Sequence, residues 1–300
     1  MIVKATFENV KELLIKYYDR HKSNEFLASN FTLDSLEKDI IYLTNKGLGY
    51  VCIENEVPVG YILGYKIQNL FFNNAGIYTP DFAVYYEDET VLYQLLKVYY
   101  EEMKLQGFTH HAMTLLSPHQ DDFIVQMGYG LRVMDGVRFP RKSVVNDSSV
   151  SIKVVDNSDF DSLLPIFVEH NQYMSSSPIF LDTDEPSEEL YEILKDENKI
   201  IFKIQYHLET VGFSIVDKKF PAGGKYFKDD YTLAVKGTHI KTEFQNKHIG
   251  SRYIALLDNY CLDNSYHRLA VDYESANFLA ANFWRKHYQI CAKSYVKYLG

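Results

Sequence analysis

The stretch Phe-Gln-Asn-Lys-His-Ile-Gly-Ser, residues 244–251, lies between a strand-like segment that ends near Ile240 and an amphipathic helix predicted over residues 249–262. A loop that leads into a helix presents backbone N–H groups without partners, and the helix dipole adds partial positive charge there. That combination binds phosphate groups. Gly250 lets the backbone approach a ligand closely and Lys247 adds a charge, although such a glycine also serves simply to ease entry into a helix.

A second informative stretch, Leu-Ala-Val-Asp-Tyr-Glu-Ser-Ala-Asn, occupies residues 269–277 and precedes a Phe-Trp pair. Its first five residues are typical of a buried strand, and Asn277 is a suitable N-cap for a helix that follows. Two such stretches in this order, with a helix between them, are more specific than either one alone.

Together these stretches resemble the cofactor-binding segments of the GCN5-related N-acetyltransferase (GNAT) superfamily. Its phosphate loop has the pattern Gln/Arg-x-x-Gly-x-Gly/Ala, which Gln245 and Gly250 match at the ends, whereas His248 stands where the middle Gly is usual. Its later Asn-x-x-Ala-x-x-Phe/Tyr segment is matched by Asn277, Ala280 and Phe283. The resemblance covers about residues 151–300.

The resemblance implies that acetyl-CoA lies in a gap between two neighbouring parallel strands, one ending near Ile240 and the other over residues 269–273. The pantetheine is expected to pair with exposed backbone of the first strand, and the pyrophosphate with amides of the loop. The cofactor-binding residues implied in this way are Thr238, His239, Ile240, Gln245, Asn246, Lys247, His248, Ile249, Gly250, Ser251, Asn277, Phe283 and Trp284.

The implied reaction is direct attack of a neutral amine on the thioester, which needs a base, and backbone N–H groups can stabilise the charge that develops on the thioester oxygen. Many family members use a Tyr seven residues after the motif's Asn as the acid, but Trp284 stands there, and its indole N–H is not a useful acid. The remaining candidates are Glu274, His239 and, less favoured, His287 as the base, and Tyr288 as the acid. Each of these residues also fits an ordinary polar position at the surface or the core edge.

A weak repeat divides the chain. Val-Gly-Tyr-Ile at residues 59–62 corresponds to Val-Gly-Phe-Ser at residues 211–214, and residues 81–84 match residues 232–235 at nearly the same offset. The predicted fold class is α/β, with two tandem GNAT-like domains, each a mixed central β-sheet flanked by helices. The predicted organisation is a first domain, a polar linker and a domain with the acetyl-CoA site, over residues 1–139, 140–150 and 151–300.

The first half lacks the phosphate loop. Residues 81–84 lead through Glu87, Asp88 and Glu89 directly into a helix predicted over residues 89–106. Carboxylates suit a helix N-terminus but repel a pyrophosphate. Residues 1–139 are therefore predicted to be a degenerate copy that supports the fold.

Composition excludes several other classes. The 300-residue chain carries a formal net charge of -9 at pH 7, whereas a nucleic-acid groove needs a clustered basic face. Cys52, Cys261 and Cys291 have no metal-ligand spacing, so neither a metal site nor a disulfide scaffold is expected, and a reducing compartment is favoured. No stretch approaches the roughly 20 apolar residues of a membrane span. We expect a cytoplasmic protein without nucleic-acid or membrane partners.

The predicted function is an acetyl-CoA-dependent N-acetyltransferase that transfers an acetyl group to the primary amine of a small molecule or a peptide. The length of the acyl group and the oligomeric state stay open. The alternative is a non-catalytic GNAT-fold binding or regulatory protein with weak CoA affinity, which His248 and Trp284 favour.

Overall fold

The structure is a computed structural model, and it describes residues 1–71, 74–117, 121–143, 149–181, 183–219 and 224–300. The helices are α1 Phe7–His21, α2 Leu33–Lys46, α3 Glu89–Leu105, α4 Asp121–Gln126, α5 Phe160–Ser175, α6 Pro186–Lys195, α7 Ile249–Asp263 and α8 Phe278–His287. The strands are β1 Ile2–Lys4, β2 Leu48–Glu54, β3 Val57–Phe71, β4 Asn74–Thr79, β5 Val84–Tyr86, β6 His110–Leu116, β7 Gly130–Arg138, β8 Val150–Val154, β9 Lys199–Tyr206, β10 Glu209–Asp217, β11 Thr232–Ile240, β12 Arg268–Glu274 and β13 Gln289–Tyr298.

The chain separates into two compact units. Unit 1 comprises Met1–Met134 together with Cys291–Gly300, and unit 2 comprises Asp135–Ile290. Each unit contains a mixed sheet flanked by helices, which confirms the predicted fold class.

The sheet of unit 1 has the strand order β1-β2-β3-β4-β6-β13, with β5 paired to β3. Strands β4 and β6 are parallel, whereas β6 and β13 are antiparallel over Ala292↔Leu116 to Tyr298↔His110. The last strand of the chain thus completes the sheet of the first unit. Cys291–Gly300 belongs to unit 1 because this segment forms hydrogen bonds with β6. The domain boundaries given above, residues 1–139 and 151–300, stay a prediction.

The sheet of unit 2 has the order β12-β11-β10-β9-β8. Strands β11 and β12 are parallel, and the other neighbours are antiparallel. Helices α5 and α6 pack on one face through an apolar cluster of Leu163, Ile166, Phe167, Leu190, Ile193, Ile201, Phe213 and Ile215.

Helix α3 forms the centre of the core of unit 1. Its buried side chains include Val91, Leu95, Tyr99 and Met103, which lie at the helical spacing that the sequence predicts. The helix ends where Gly107 adopts a left-handed backbone with φ of 80°, a conformation that glycine tolerates best after a helix.

One sequence match between the halves is wrong in detail. Residues 81–83 form a short 3-10 turn rather than a strand, and the strand that runs parallel to β6 is β4, through Gly76–Thr79. Its counterpart in unit 2 is the segment Thr232–Val235 of β11, which runs parallel to β12. The short apolar sequences that match between the two halves therefore do not occupy equivalent positions in the two sheets.

The predicted linker over residues 140–150 lies partly outside the described residues, which omit 144–148. Before this gap, Ser143 is held to α7: its N–H donates to Asn259 Oδ1 at 3.1 Å, and its carbonyl accepts from Asn259 Nδ2 at 2.9 Å. All three cysteines are buried and none forms a disulfide, and Cys261 lies on the buried face of α7. Across the described residues, no helix combines the length and apolar character needed to cross a bilayer.

Candidate functional site

A gap opens between the two parallel strands of unit 2. Residues Thr232–Val235 of β11 pair with Arg268–Val271 of β12, and the ladder ends at Val235↔Val271. Both strands continue beyond this point, β11 to Ile240 and β12 to Glu274. In the sequence, a gap between these two strands is implied only by the resemblance to the GNAT superfamily.

A β-bulge on β11 marks the start of the gap. Ile215 of β10 pairs with Gly237 and Val216 pairs with Val235, so Lys236 is an extra residue on β11. A bulge bends the strand that carries it and increases its twist. We attribute the separation of β11 from β12 to this bulge, because the ladder to β12 ends at the residue before it.

Backbone groups of β11 face the gap. The Lys241 N–H donates to the Val211 carbonyl of β10 at 2.8 Å, and in an antiparallel pair the groups that face a given neighbour alternate along the strand. The N–H and C=O groups of Thr238 and Ile240 therefore point away from β10. The Ile240 carbonyl accepts a hydrogen bond of 3.0 Å from Gln245 Nε2, which ties the loop to the strand end.

The loop between β11 and α7 forms an open helix N-terminus. The side chains of Gln245, Asn246, Lys247 and His248 are exposed. His248 occupies the N-cap position with φ of 60°, and its side chain makes no capping hydrogen bond. A left-handed residue is where glycine is least strained, so His248 adopts the conformation expected of the family pattern's middle Gly. The first amides of α7 are left without a side-chain cap among the described residues, as an anion site requires.

Gly250 has a packing role that the sequence did not reveal. A Cβ placed on Gly250 meets Phe283 Cε2 at 2.9 Å, so the aromatic ring of α8 rests directly on the helix backbone. Next to it, Ser251 Oγ lies 3.4 Å from His287 Nε2. The start of α7 therefore packs against the end of α8, and His287 lies beside the first turn of α7.

Successive side chains of β11 reach opposite faces of the sheet. Thr238 Oγ1 hydrogen-bonds Ser214 Oγ at 2.8 Å, and Ser214 accepts from the Tyr253 hydroxyl of α7 at 2.6 Å. His239 is buried on the other face, with its ring centroid 5.5 Å from that of His170 of α5. The predicted residues Thr238 and His239 thus contact different layers of unit 2.

Glu169 of α5 connects His239 to the start of the loop. Its Oε1 accepts from the Thr242 N–H at 2.9 Å and from Thr242 Oγ1 at 2.7 Å. The same oxygen lies 3.2 Å from His239 Nε2, although the two atoms are not aligned as a hydrogen bond. Burial acts to raise the pKa of Glu169, but its contacts with Thr242 and His239 outweigh burial and hold that pKa below its usual range. Burial lowers the pKa of His239 despite the neighbouring carboxylate, so His239 is a neutral imidazole at neutral pH.

Asn277 is the N-cap of α8, as the sequence predicts. Its Oδ1 accepts from the Ala280 N–H at 3.1 Å and from the Tyr173 hydroxyl of α5 at 2.8 Å. Asn277 therefore fixes the turn after β12 against α5. Glu274, the last residue of β12, accepts the Asn277 N–H at 3.1 Å through its carbonyl and is partly exposed.

The two aromatic candidates near the C-terminus of unit 2 lie in its core. Trp284 is buried and packs edge-on against Tyr288 with ring centroids 5.4 Å apart. Burial raises the pKa of Tyr288 well above its usual value, which keeps the phenol protonated. The guanidinium of Arg138 lies 5.7 Å from the centre of the Tyr288 ring and forms an ion pair with the buried Asp258.

A cavity of about 290 Å³ lies on the α5 and α6 side of the sheet. It reaches β11 at Lys236 and Gly237, where the bulge lies. Its lining is completed by Phe167, His170, Glu189, Ile193, Lys199, Ile215 and Asp217. Burial lowers the pKa of His170 to about 4, so this wall of the cavity presents a neutral imidazole.

The sequence did not single out Glu169, His170 or Tyr173. The three lie in the segment Glu-His-Asn-Gln-Tyr at residues 169–173, at the polar end of α5. A histidine beside a glutamate after the apolar run was the available signal. Among the described residues, no group of His, Cys, Asp or Glu side chains is arranged to hold a metal ion.

Unit 1 has a closed helix start at the corresponding place. Strand β5 ends at Tyr86, and Asp88 caps α3 by accepting the Val91 N–H at 3.0 Å. Glu87 forms an ion pair of 3.1 Å with Lys16. The first turn of α3 is thus already occupied by a carboxylate.

No protein-family model and no curated protein sequence matches the chain. Among solved structures, it is similar to a GCN5-related glucosamine N-acetyltransferase region of a fungal multi-domain GH3 β-N-acetylglucosaminidase. The identity is 12% and the TM-score is 0.55, and the alignment covers 99% of this chain and 38% of that chain. A tandem GNAT protein from the clavulanic acid biosynthesis pathway has 10% identity and a TM-score of 0.46, with coverage of 100% and 98%. A GCN5-related N-acetyltransferase from Kribbella flavida has 13% identity and a TM-score of 0.42, with coverage of 99% and 70%. At an identity of 12% the likeness to the fungal structure concerns the fold alone, and the chain has a GNAT fold.

Proposed function

We propose that this GNAT-fold protein is an acetyl-CoA-dependent N-acetyltransferase whose cofactor site lies in unit 2. The observation that carries the proposal is the gap beyond Val235 and Val271, which leads to the uncapped start of α7. A strand edge with free backbone groups beside an open helix N-terminus suits a long ligand that has amides along its length and phosphates at one end.

The residues of unit 2 fit such a ligand. The Thr238 carbonyl and the Ile240 N–H would hold the pantetheine arm, since the Ile240 carbonyl is already bonded to Gln245. The amides of Ile249, Gly250 and Ser251 would hold the pyrophosphate, and the exposed Lys247 would add a positive charge. When bound, acetyl-CoA would supply the acyl group as a thioester.

Residues on the α5 face would act on the acceptor amine. His239 and His170 are neutral at neutral pH because burial lowers the pKa of each, and a neutral imidazole accepts a hydrogen bond from an amine N–H. Glu169 Oε1 lies 3.2 Å from His239 Nε2 and would stabilise a proton on that ring. The Thr238 N–H would stabilise negative charge on the carbonyl oxygen of the acyl group. Tyr288, a protonated phenol, is the candidate acid.

Trp284 favours a second candidate, a protein that binds CoA without catalysis. It stands where the family acid is usual, and its side chain is buried against Tyr288. CoA release in the presence of a panel of amines distinguishes the two candidates, because a binding protein releases none.

We also propose that unit 1 is the degenerate copy and carries no cofactor. The Asp88 cap occupies the start of α3, and a carboxylate there repels a phosphate. Three buried cysteines that form no disulfide support a reducing, cytoplasmic location.

Calorimetric titration with acetyl-CoA tests the proposal. Lys247→Glu reverses an exposed charge beside the proposed pyrophosphate site and should weaken binding by about tenfold, the size of one charge-assisted contact. The matched control is Lys97→Glu, at an exposed position of α3 in unit 1, which should leave binding unchanged. The absence of binding at millimolar acetyl-CoA, or an equal loss in both variants, would overturn the proposal.

A further inference from the structure

We propose that the cavity beside Gly237 binds the acceptor as a small diamine, with one amino group at the bulge of β11 and a second, cationic group between Glu189 and Asp217. This inference rests on the proposed function, because it assigns the acceptor of that same site. It rests on the size of the cavity, the balance of charge in its walls and the chemistry of its inner end.

The cavity suits a small ligand. Its volume of about 290 Å³ lies at the lower end of the range for small-molecule sites. It reaches the backbone of β11 at Gly237, where a Cβ would lie 3.6 Å from Ile215 Cδ1 and 4.0 Å from His170 Nε2. The absence of a side chain at Gly237 thus leaves room beside the bulge where the gap begins.

The two lysines in the lining have carboxylate partners outside it. Lys199 Nζ lies 3.5 Å from Asp196 Oδ2, and Lys236 Nζ lies 3.1 Å from Asp272 Oδ1. Neither Asp196 nor Asp272 lines the cavity. The positive charges of the wall are therefore already compensated.

The two carboxylates in the lining are held by neutral groups. Glu189 Oε2 accepts from Asn171 Nδ2 at 2.9 Å, and Asp217 Oδ1 accepts from the Lys219 N–H at 2.8 Å. They come from different walls, since Glu189 lies on α6 and Asp217 on β10. Asp217 is buried and Glu189 is half-buried. A charge withdrawn from water is costly unless it is compensated, so an ammonium group that enters between these walls is favoured.

Lys228 supplies little compensation to Asp217 in mildly alkaline solution. Burial lowers the pKa of this lysine to about 7, although Asp135, Asp272 and Asp217 oppose that effect. Above neutral pH its ammonium group is largely deprotonated, so it offsets little of the negative charge of Asp217. The charge of Asp217 then favours a cation beside it.

The inner end of the cavity suits an uncharged amine. His170 Nδ1 is buried and has no hydrogen-bond partner among the described residues. A neutral imidazole accepts an N–H and does not repel the ammonium group at the other end of the cavity. A diamine therefore matches both ends, with a neutral amine at His170 and an ammonium between the carboxylates.

The test measures binding of the acceptor separately from turnover. Diaminobutane, butylamine and γ-aminobutyrate are titrated calorimetrically into the full chain at mildly alkaline pH, with CoA present and absent. The variants are Glu189→Gln and Asp217→Asn, which keep the shape of each side chain. The control is Glu197→Gln, an exposed position of unit 2 outside the cavity.

We expect diaminobutane to bind about tenfold more tightly than butylamine, because only the diamine contacts both ends of the cavity, and each cavity variant to lose about tenfold for the diamine. Equal affinity for the two amines, tighter binding of γ-aminobutyrate, or an equal loss in Glu197→Gln would overturn the inference. A protein that binds acetyl-CoA but not diaminobutane contradicts the acceptor assignment alone. One that binds diaminobutane but not acetyl-CoA contradicts the proposed function.

Discussion

Val235 of β11 and Val271 of β12 are the last pair of residues that join these two parallel strands. The next residue of β11, Lys236, forms a bulge, and its ammonium group bonds to Asp272, the next residue of β12. Beyond this point the backbone of Thr238 faces the gap. The cofactor proposal depends on this separation, because paired strands would leave no backbone groups free for a ligand.

The left-handed backbone of His248 predicts the effect of glycine at this position. A non-glycine residue in this region costs about 1–2 kcal/mol, so we expect His248→Gly to stabilise unit 2 modestly and to raise acetyl-CoA affinity by up to about tenfold. His248→Val should have the opposite effect on stability, because branching at Cβ is poorly tolerated at positive φ. Urea denaturation and calorimetry measure both effects, and the prediction is wrong if valine is tolerated as well as glycine.

Packing of Phe283 on Gly250 predicts an energetic coupling between the two residues. Gly250→Ala should destabilise the protein by about 1–3 kcal/mol, since the added methyl group meets the aromatic ring. In a Phe283→Leu background the same substitution should cost much less, and a double-mutant cycle measures the difference. An equal cost of Gly250→Ala in both backgrounds would show that the ring does not rest on the helix.

The hydrogen bonds of Asn277 predict a selective loss of stability. Asn277→Ala removes a helix cap and leaves the Tyr173 hydroxyl without its acceptor, which together cost about 1–3 kcal/mol. Asn277→Asp keeps an oxygen that accepts from the Ala280 N–H and from Tyr173, so it should retain most of that stability. Thermal unfolding of both variants checks this account, and similar losses in alanine and aspartate variants would refute it.

The buried carboxyl of Asp81 in unit 1 predicts a dependence of stability on pH. Burial raises its pKa from 3.8 to about 6, although a hydrogen bond of 2.6 Å from the Tyr17 hydroxyl opposes the shift. A raised folded-state pKa means that the stabilising contribution is complete below the unfolded-state pKa and is lost as the pH rises through about 6.

Asp81→Asn removes this titration. The wild type loses stability as Asp81 ionises, whereas the variant does not. The difference in the free energy of unfolding, variant minus wild type, should therefore increase by up to about 3 kcal/mol between about pH 4 and about pH 8. Urea denaturation followed by circular dichroism at several pH values measures the difference. A difference that stays constant with pH would mean that Asp81 titrates normally in the folded protein.

Local sequence patterns predicted the elements that frame the site. The helix predicted over residues 249–262 is α7, and the strand predicted over residues 269–273 lies within β12. Both predictions follow from apolar periodicity and from Gly and Asn residues at the ends of the elements. These signals lie within single elements, so they can be recognised without knowledge of the fold.

The features that escaped prediction depend on contacts between elements. The bulge at Lys236 is a register shift of one residue against β10, which periodicity along β11 does not reveal. Glu169 meets His239 and Thr242 only because α5 packs over the end of β11. The pairing of the final strand with β6 is set by hydrogen bonds between residues far apart in the chain.

Amide hydrogen exchange with and without saturating acetyl-CoA tests the cofactor site most directly. Exchange at Thr238 and Ile240, and at the first amides of α7, should slow on cofactor binding, because these N–H groups would become hydrogen-bonded. The Lys241 N–H, which already donates to Val211, should not change. Unchanged exchange at Thr238 and Ile240, or slowing confined to the start of α3 in unit 1, would contradict a cofactor site between β11 and β12.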